Sequence, residues 1–239
     1  MLFINNLTKT FGGLRAVSEV TFQVKQGEVV GLIGPNGAGK TTLFNLISGF
    51  ITPTSGDITF HDERLNKLKP FQICKMGIGR TFQIVQPFPD ISTRDNVMVG
   101  AFLHTANRGL AEKKSLEALE RVRLAHKKDE KAKNLTLLEL KQLEIAKALA
   151  TNPQLLLLDE VAAGLNLSEI DQIMKLVHEL NIQGITILMI EHVMKLIMGL
   201  SNRIVVLNFG RKIAEDSPDK IINNPEVIEA YLGKEESIA

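Results

Sequence analysis

The chain has 239 residues, a formal net charge of +1 and 44% hydrophobic residues. That length allows one large domain or two small ones, and the near-neutral charge argues against a protein that coats nucleic acid. The single cysteine, Cys74, excludes an intrachain disulfide and a cysteine metal cluster. The apolar runs are too short to span a bilayer and the N-terminus lacks the pattern of a secretory signal. We therefore expect a soluble, intracellular chain, in which any association with a membrane goes through a partner.

The first third of the chain alternates short apolar runs with turn signals, which predicts strands joined by loops. Gly12-Gly13 and Gln26-Gly27 supply two of the turns. The predicted strands are 3–7, 20–24, 28–33, 57–60 and 77–82, and the predicted helices are 43–47 and 70–76.

From residue 87 to residue 149 the pattern is helical, and strands return at 155–158, 185–190 and 204–207. A helix at 168–181, with Ser168 as its cap, connects the first two of these strands. This alternation predicts a parallel sheet covered on both faces. A short strand at 211–213 precedes two small helices within 218–233. Their inward-facing residues are predicted to be Ile221, Ile222, Ile228 and Tyr231.

Residues 34–42 carry the strongest motif, because they fit the G-x-x-x-x-G-K-[ST] pattern of a phosphate-binding loop between a strand and a helix. The loop N–H groups and the positive end of the helix would bind a polyphosphate. Lys40 would reach the β- and γ-phosphates, and the Thr41 hydroxyl would ligate Mg²⁺. The predicted nucleotide-binding residues of the loop are Gly34, Pro35, Asn36, Gly37, Ala38, Gly39, Lys40, Thr41 and Thr42.

Asp159 and Glu160 form the second strong signal. They follow an apolar run of four leucines, 155–158, and thus stand at the end of a buried strand, where α/β sheets bind their ligands. Asp159 would hold Mg²⁺ through water, and Glu160 would orient or deprotonate the attacking water.

With both motifs in place, the chain resembles the ATP-binding subunits of ABC transporters over nearly its whole length. The resemblance implies that Gln83 contacts Mg²⁺ and the attacking water, and that His192 contacts the γ-phosphate. It also implies that Phe11 stacks on adenine, with Val17 beside it. The implied catalytic residues are Glu160, His192, Gln83 and Lys40, and the implied metal-binding residues are Thr41, Gln83 and Asp159.

Three stretches are similar to the ATPases of branched-chain amino acid importers: 77–83, 162–166 and 224–233. The ATPases of urea importers and lipopolysaccharide exporters look similar in parts. The narrower resemblance therefore implies amino-acid transport, with these related transporters as alternatives.

The family's signature loop, Leu-Ser-Gly-Gly-Gln, is degenerate in this chain. Its aligned residues are Leu135, Thr136, Leu137, Leu138 and Glu139. Thr136 keeps the hydroxyl and forms a T-x-x-E capping box with Glu139. The two leucines would obstruct the close backbone approach that glycine allows, and in this family the loop contacts the ATP held by the opposite subunit. Val161 also departs from the family, which usually has proline there.

We therefore predict an α/β fold: a P-loop NTPase core of ABC type with an antiparallel β subdomain and an inserted helical subdomain. The single ATP-binding domain would comprise a core of 1–86 and 150–239 and a helical subdomain of 87–149. ATP and Mg²⁺ are the expected cofactors. The expected partners are transmembrane permease subunits and a second ATPase chain, a heterodimer being favoured over a homodimer. The chain would lie in the cytoplasm, on the inner face of the membrane.

Two other functions remain open at this stage. The chain could bind ATP with little hydrolysis and serve as the regulatory half of a heterodimer. It could also be an ABC-type ATPase without a transporter, although such proteins commonly carry paired cassettes or long coiled coils, which this sequence lacks.

Overall fold

The structure is a computed structural model, and it describes residues 1–232. The chain folds into two compact units. The first unit combines Met1–Pro70 with the part of the chain from Leu188 onwards, and the second unit is Phe71–Ile187. The proposed division into a core and a helical subdomain of 87–149 remains a prediction.

The first unit contains a four-stranded antiparallel sheet and a second set of strands next to the phosphate-binding loop of residues 34–42. Its elements up to Pro70 are β1 (Leu2–Phe11), β2 (Leu14–Val24), β3 (Val29–Ile33), α1 (Lys40–Ile47), β4 (Ser55–Phe60) and β5 (Glu63–Arg64). The antiparallel sheet has the strand order β2-β1-β4-β5. In β2, buried and exposed residues alternate from Val20 to Val24, which is the period of a half-buried strand.

The part of the first unit that follows residue 187 supplies a strand that pairs with β3. The second unit ends within strand β8 (Thr186–Ile190), and the elements that follow are α7 (Met194–Leu200), β9 (Arg203–Asn208), β10 (Arg211–Asp216), α8 (Pro218–Ile222) and α9 (Pro225–Leu232). Strand β3 pairs in parallel with β9, and β9 pairs antiparallel with β10. All five residues of β3 are buried, as expected for a strand covered on both faces.

The second unit is largely helical. It contains α2 (Pro70–Lys75, which begins at the unit boundary), β6 (Ile78–Arg80), α3 (Thr93–Ala101), α4 (Arg108–Arg121), α5 (Leu137–Leu149), β7 (Leu155–Asp159) and α6 (Leu167–Ile182). Two 3-10 turns, Ala125–Lys127 and Ala132–Asn134, lie between α4 and α5. Strands β6 and β7 are parallel, and every residue of β7 is buried.

The predicted helices and strands are present, with two corrections. Helix α6 is capped by Asn166 rather than Ser168, because the Asn166 side chain accepts the Glu169 N–H and Glu169 completes a capping box. In α8 and α9 only Ile221 of the four residues expected to face inward is buried, whereas Ile222, Ile228 and Tyr231 are exposed. Each of these short helices buries a single side chain, Ile221 in α8 and Val227 in α9, instead of the wider face that the apolar spacing indicated. Gly233, the last residue of the C-terminal motif, lies outside the described residues.

Within residues 1–232, no helix is both long enough and apolar enough to cross a membrane.

Candidate functional site

The phosphate loop connects the buried strand β3 to helix α1 in the first unit. Helix α1 begins at Lys40, and its N-cap is Gly39, a residue without a side chain. The first turn of α1 carries no acidic residue, and no side chain in the described chain caps it. A helix N-terminus of this kind offers N–H groups and a positive dipole to an anion. Its geometry therefore suits a phosphate group.

Neighbouring backbone approaches the loop so closely at two positions that only glycine fits there. Gly34 has a φ of 151° and Gly39 a φ of 101°, values that other residues rarely adopt. A Cβ atom on Gly34 would lie 2.1 Å from the Leu207 carbonyl oxygen, and one on Gly39 would lie 2.3 Å from the Ala16 carbonyl oxygen. Strands β9 and β2 thus approach the loop closely, β9 at Gly34 and β2 at Gly39.

Lys40 is positioned inside the loop. Its side chain is 6% exposed, and its Nζ donates hydrogen bonds to the carbonyl oxygens of Gly34 at 2.6 Å and Pro35 at 2.9 Å. Thr41, the next residue, is exposed in the first turn of α1. The loop therefore holds an ammonium group and a hydroxyl beside the open helix N-terminus, as the motif predicts.

The two residues expected to contact adenine are placed differently. Phe11 ends β1 and is 47% exposed, and the Lys9 ammonium lies 5.0 Å from the centre of its ring. An exposed aromatic face is available for stacking on a base. Val17 is 0% exposed and lies in the core, which argues against direct contact between its side chain and a nucleotide.

His192 follows β8 in the first unit and is exposed. The preceding residue, Glu191, is 2% exposed. The side chain therefore changes from buried at Glu191 to exposed at His192, just after the end of the strand.

In the second unit, Asp159 is the last residue of β7 and is 2% exposed. Its Oδ2 accepts a hydrogen bond of 2.9 Å from Arg80, and the Asp159 N–H donates to the Thr81 hydroxyl at 3.1 Å. Burial raises the pKa of Asp159, whereas the neighbouring charges of Arg80 and Lys141 act in the opposite direction. Burial likewise lowers the pKa of Arg80. The two shifts have one cause, since desolvation disfavours the charged form of both partners.

The other carboxylate oxygen of Asp159 fits a role toward magnesium. Its Oδ1 is buried and has no hydrogen-bond partner among the described residues. An unsatisfied buried carboxylate oxygen is costly unless a water or an ion completes it. No group of three or more His, Cys, Asp or Glu side chains in residues 1–232 could hold a metal by itself. Mg²⁺ is commonly held by one or two carboxylates together with waters and substrate phosphates, and Asp159 would supply one such carboxylate.

Glu160 and Gln83 are brought into direct contact. The Gln83 Nε2 donates to the Glu160 Oε2 at 2.7 Å, although the two residues are 77 positions apart. Glu160 has a positive φ of 50°, in the left-handed region that favours glycine. Residues held in this region often belong to functional sites, where the surrounding structure imposes the strain.

Two basic residues of this site were missed by the sequence analysis. Arg80 forms the buried ion pair with Asp159. Lys141, in α5, is 4% exposed and donates to the carbonyl oxygens of Gln83 at 3.3 Å and Glu160 at 3.1 Å. For Arg80 the available signal was a charged residue at the end of a short apolar strand, because buried charges require partners. For Lys141 there was no such signal in the sequence, since α5 contains several charged residues.

The degenerate signature loop begins helix α5. Thr136 is its N-cap, and the capping box with Glu139 is present as predicted. The Thr136 N–H donates to Glu139 at 2.8 Å, and the Glu139 N–H donates to the Thr136 hydroxyl at 3.3 Å. Leu137 is 43% exposed and its side chain approaches Gly164, where a Cβ would lie 3.0 Å from it. A leucine side chain therefore covers part of the surface at the start of this helix.

Comparison with known proteins agrees with these features. The sequence model of the ABC transporter family matches residues 17–163, and one described as branched-chain amino acid ATP-binding cassette transporter matches residues 211–237. The high-affinity branched-chain amino acid transport ATP-binding protein LivG of Salmonella typhimurium is 43% identical to this chain, and the alignment covers 98% of both.

Solved structures show the same fold. A nucleotide-free ATP-binding cassette from an ABC transporter has a TM-score of 0.90 and 31% identity, covering 98% of this chain and 99% of the other. The ADP conformation of such a cassette has a TM-score of 0.89, with the same identity and coverage.

The fold and the phosphate loop thus define an ATP-binding cassette. The chain belongs to the ABC transporter family. It is an ATP-binding subunit whose hydrolysis of ATP is coupled to transport.

Proposed function

We propose that this chain energises the uptake of branched-chain amino acids by binding and hydrolysing Mg²⁺–ATP beside transmembrane permease subunits. The observation that carries the ATP chemistry is the phosphate loop, with the Lys40 ammonium held inside it and an uncapped helix N-terminus behind it. The substrate class rests on the likeness to LivG over 98% of both chains, supported by the match at 211–237. The chain would act at the inner face of the cell membrane through these partners.

The proposed binding roles follow the chemistry of each side chain. Lys40 and the loop N–H groups would bind the phosphates, Phe11 would stack on adenine, and Thr41 would ligate Mg²⁺. The orphaned Oδ1 of Asp159 supports a role in holding a water of that ion. Mg²⁺ would supply positive charge to the phosphates during transfer of the γ-phosphoryl group.

The proposed catalytic residues are Glu160, Gln83, His192 and Lys40. The Glu160 carboxylate would accept a proton from, or orient, the attacking water. Gln83, which already contacts that carboxylate, would keep it in place and contact the ion. His192 and Lys40 would donate hydrogen bonds to the γ-phosphate as negative charge develops.

The state of the signature loop favours a heterodimer. In a homodimer, Leu137 and Leu138 would face both nucleotides, and the exposed Leu137 side chain would hinder backbone contact with phosphate. A partner ATPase chain whose signature loop keeps its glycines would complete one competent site. The second site, which would use the loop of this chain, would bind ATP with little turnover. A subunit that hydrolyses little ATP and acts as the regulatory half of a heterodimer is the second candidate, and the same leucine loop favours it.

A Glu160→Gln variant tests the catalytic proposal. We expect Mg²⁺–ATP to bind with unchanged affinity while phosphate release falls to background, because the amide keeps the shape and loses the proton acceptor. Glu120→Gln, which changes an exposed glutamate of α4, is the matched control. Phosphate release by the assembled transporter at the parent rate in Glu160→Gln would remove Glu160 from catalysis.

Deletion of the chain from its host tests the substrate class. Uptake of labelled leucine, isoleucine and valine should fall and should return when the gene is restored. Loss of urea uptake with normal leucine uptake would contradict the proposal.

A further inference from the structure

Lys141 is a buried cation in the first two turns of α5. Only 4% of it is exposed. Burial of an ammonium group is expensive unless hydrogen bonds compensate it, so the contacts of Lys141 account for its presence. Two of these contacts are main-chain carbonyl oxygens, one at Gln83 and one at Glu160.

We propose that Lys141 is a positioning residue for ATP hydrolysis, which holds the main chain at Gln83 and at Glu160 so that their side chains meet in the reactive arrangement. This inference rests on the proposed roles of Gln83 and Glu160. Lys141 would act through these two residues and would not contact the nucleotide or the attacking water.

One ammonium group binds the backbone of both residues, at 3.3 Å for Gln83 and 3.1 Å for Glu160. The side chains of the same two residues are joined at 2.7 Å. The backbone contacts and the side-chain contact thus form a closed arrangement between segments 77 positions apart. Loss of the ammonium would remove the bridge between the Gln83 and Glu160 carbonyls, while the bonds that Asp159 makes with Arg80 and Thr81 would still join the two segments.

The conformation of Glu160 explains why such support is needed. Its φ of 50° is unfavourable for a residue with a side chain. Its carbonyl oxygen accepts hydrogen bonds from Lys141 and from the Ala163 N–H, the latter at 3.2 Å. These bonds fix the direction of the carbonyl and help to keep the backbone in the left-handed region.

The position of Lys141 also connects the main chain of Glu160 to the signature loop. Lys141 lies five residues after Thr136, the N-cap of the same helix. A rigid helix therefore joins the signature loop to the backbone of Glu160. A shift at the start of α5 would be transmitted to that backbone through a single side chain.

The experiment compares Lys141→Met with Lys141→Arg. Methionine keeps much of the length and removes the donors, whereas arginine restores a charged donor. Lys147→Met is the matched control, because Lys147 is on the same helix and pairs with Glu144 at 2.6 Å. Thermal unfolding of all three variants measures any general loss of stability.

In steady-state assays of the assembled transporter, we expect Lys141→Met to lower kcat by about 100-fold, the size of effect caused by a misplacement of about 1 Å. KM and the affinity for Mg²⁺–ATP should stay within about twofold, because the lysine acts through Glu160 and Gln83 rather than on bound nucleotide. Lys141→Arg should recover most of the rate, and Lys147→Met should keep it. An unchanged kcat in Lys141→Met would overturn the inference.

Hydrogen exchange gives a second readout that needs no turnover. In Lys141→Met, the amides of 80–86 and 158–165 should exchange faster, including that of Ala163, while Lys147→Met should leave them unchanged. Unchanged exchange in Lys141→Met overturns the inference, whether or not Glu160→Gln abolishes turnover. Faster exchange together with full turnover in Glu160→Gln would remove the catalytic role of Glu160 and leave main-chain positioning by Lys141 standing.

Discussion

Glu160 combines a strained backbone with a carboxylate already in contact with an amide. A left-handed conformation costs a residue with a side chain about 1–2 kcal/mol, and at Glu160 the cost is offset by bonds to its carbonyl from Lys141 and Ala163. In this conformation the carboxylate accepts a hydrogen bond from Gln83. At the scale of the residue, the site is therefore defined as much by backbone conformation as by side-chain chemistry.

Replacement of Phe11 by alanine tests the proposed base contact. We expect the affinity for ATP to fall by about 1–3 kcal/mol, the range for stacking of a base on an aromatic side chain in nucleic-acid complexes. Isothermal titration of the parent and variant chains measures this change.

Phe3→Ala is the matched control, because Phe3 lies on the same strand and is 44% exposed, against 47% for Phe11. The control should bind ATP normally. An equal loss of affinity in both variants, or reduced stability with normal affinity in Phe11→Ala, would assign Phe11 to the structure of β1 instead.

At the scale of the element, α5 carries both the degenerate loop and a buried lysine. Its N-terminus is well formed, since both bonds of the capping box are made. The loop is therefore altered in its contact surface rather than unfolded, and Leu137 is exposed where the family has glycine. A stable ATP-binding subunit is compatible with the proposed dependence on a second chain for turnover.

The Leu137→Gly, Leu138→Gly double variant should gain ATP-dependent dimerisation and ATP hydrolysis relative to the parent, because the backbone could then approach a phosphate. Analytical ultracentrifugation with ATP and phosphate release measure the two effects. Each glycine should also lower helix stability by about 1 kcal/mol.

Leu110→Gly controls for that loss, since Leu110 is in the first turn of α4 and is 45% exposed. If the parent chain already dimerises and hydrolyses ATP as fast as the double variant, the leucines do not impair the loop and the case for a heterodimer fails.

At the scale of the whole molecule, the local patterns were predictable and the long-range ones were not. The order of strands and helices followed from apolar periodicity, and the phosphate loop from a motif whose residues are consecutive. The contact between Gln83 and Glu160 spans 77 positions, and the contact of Lys141 with Gln83 spans 58. Periodicity carries no information about such pairs, because they depend on tertiary packing. The burial of Val17 and the exposure of Tyr231 were missed for the same reason.

The central claim is that this chain binds nucleotide through the phosphate loop that holds Lys40. Isothermal titration of Mg²⁺–ATP into the parent, Lys40→Ala and Lys25→Ala chains tests it most directly, with the exposed Lys25 as the control. A lost hydrogen bond to a charged group is worth about 1.5–3 kcal/mol, so Lys40→Ala should bind at least about 10-fold more weakly while Lys25→Ala binds as the parent does. Unchanged affinity in a folded Lys40→Ala chain would contradict the account.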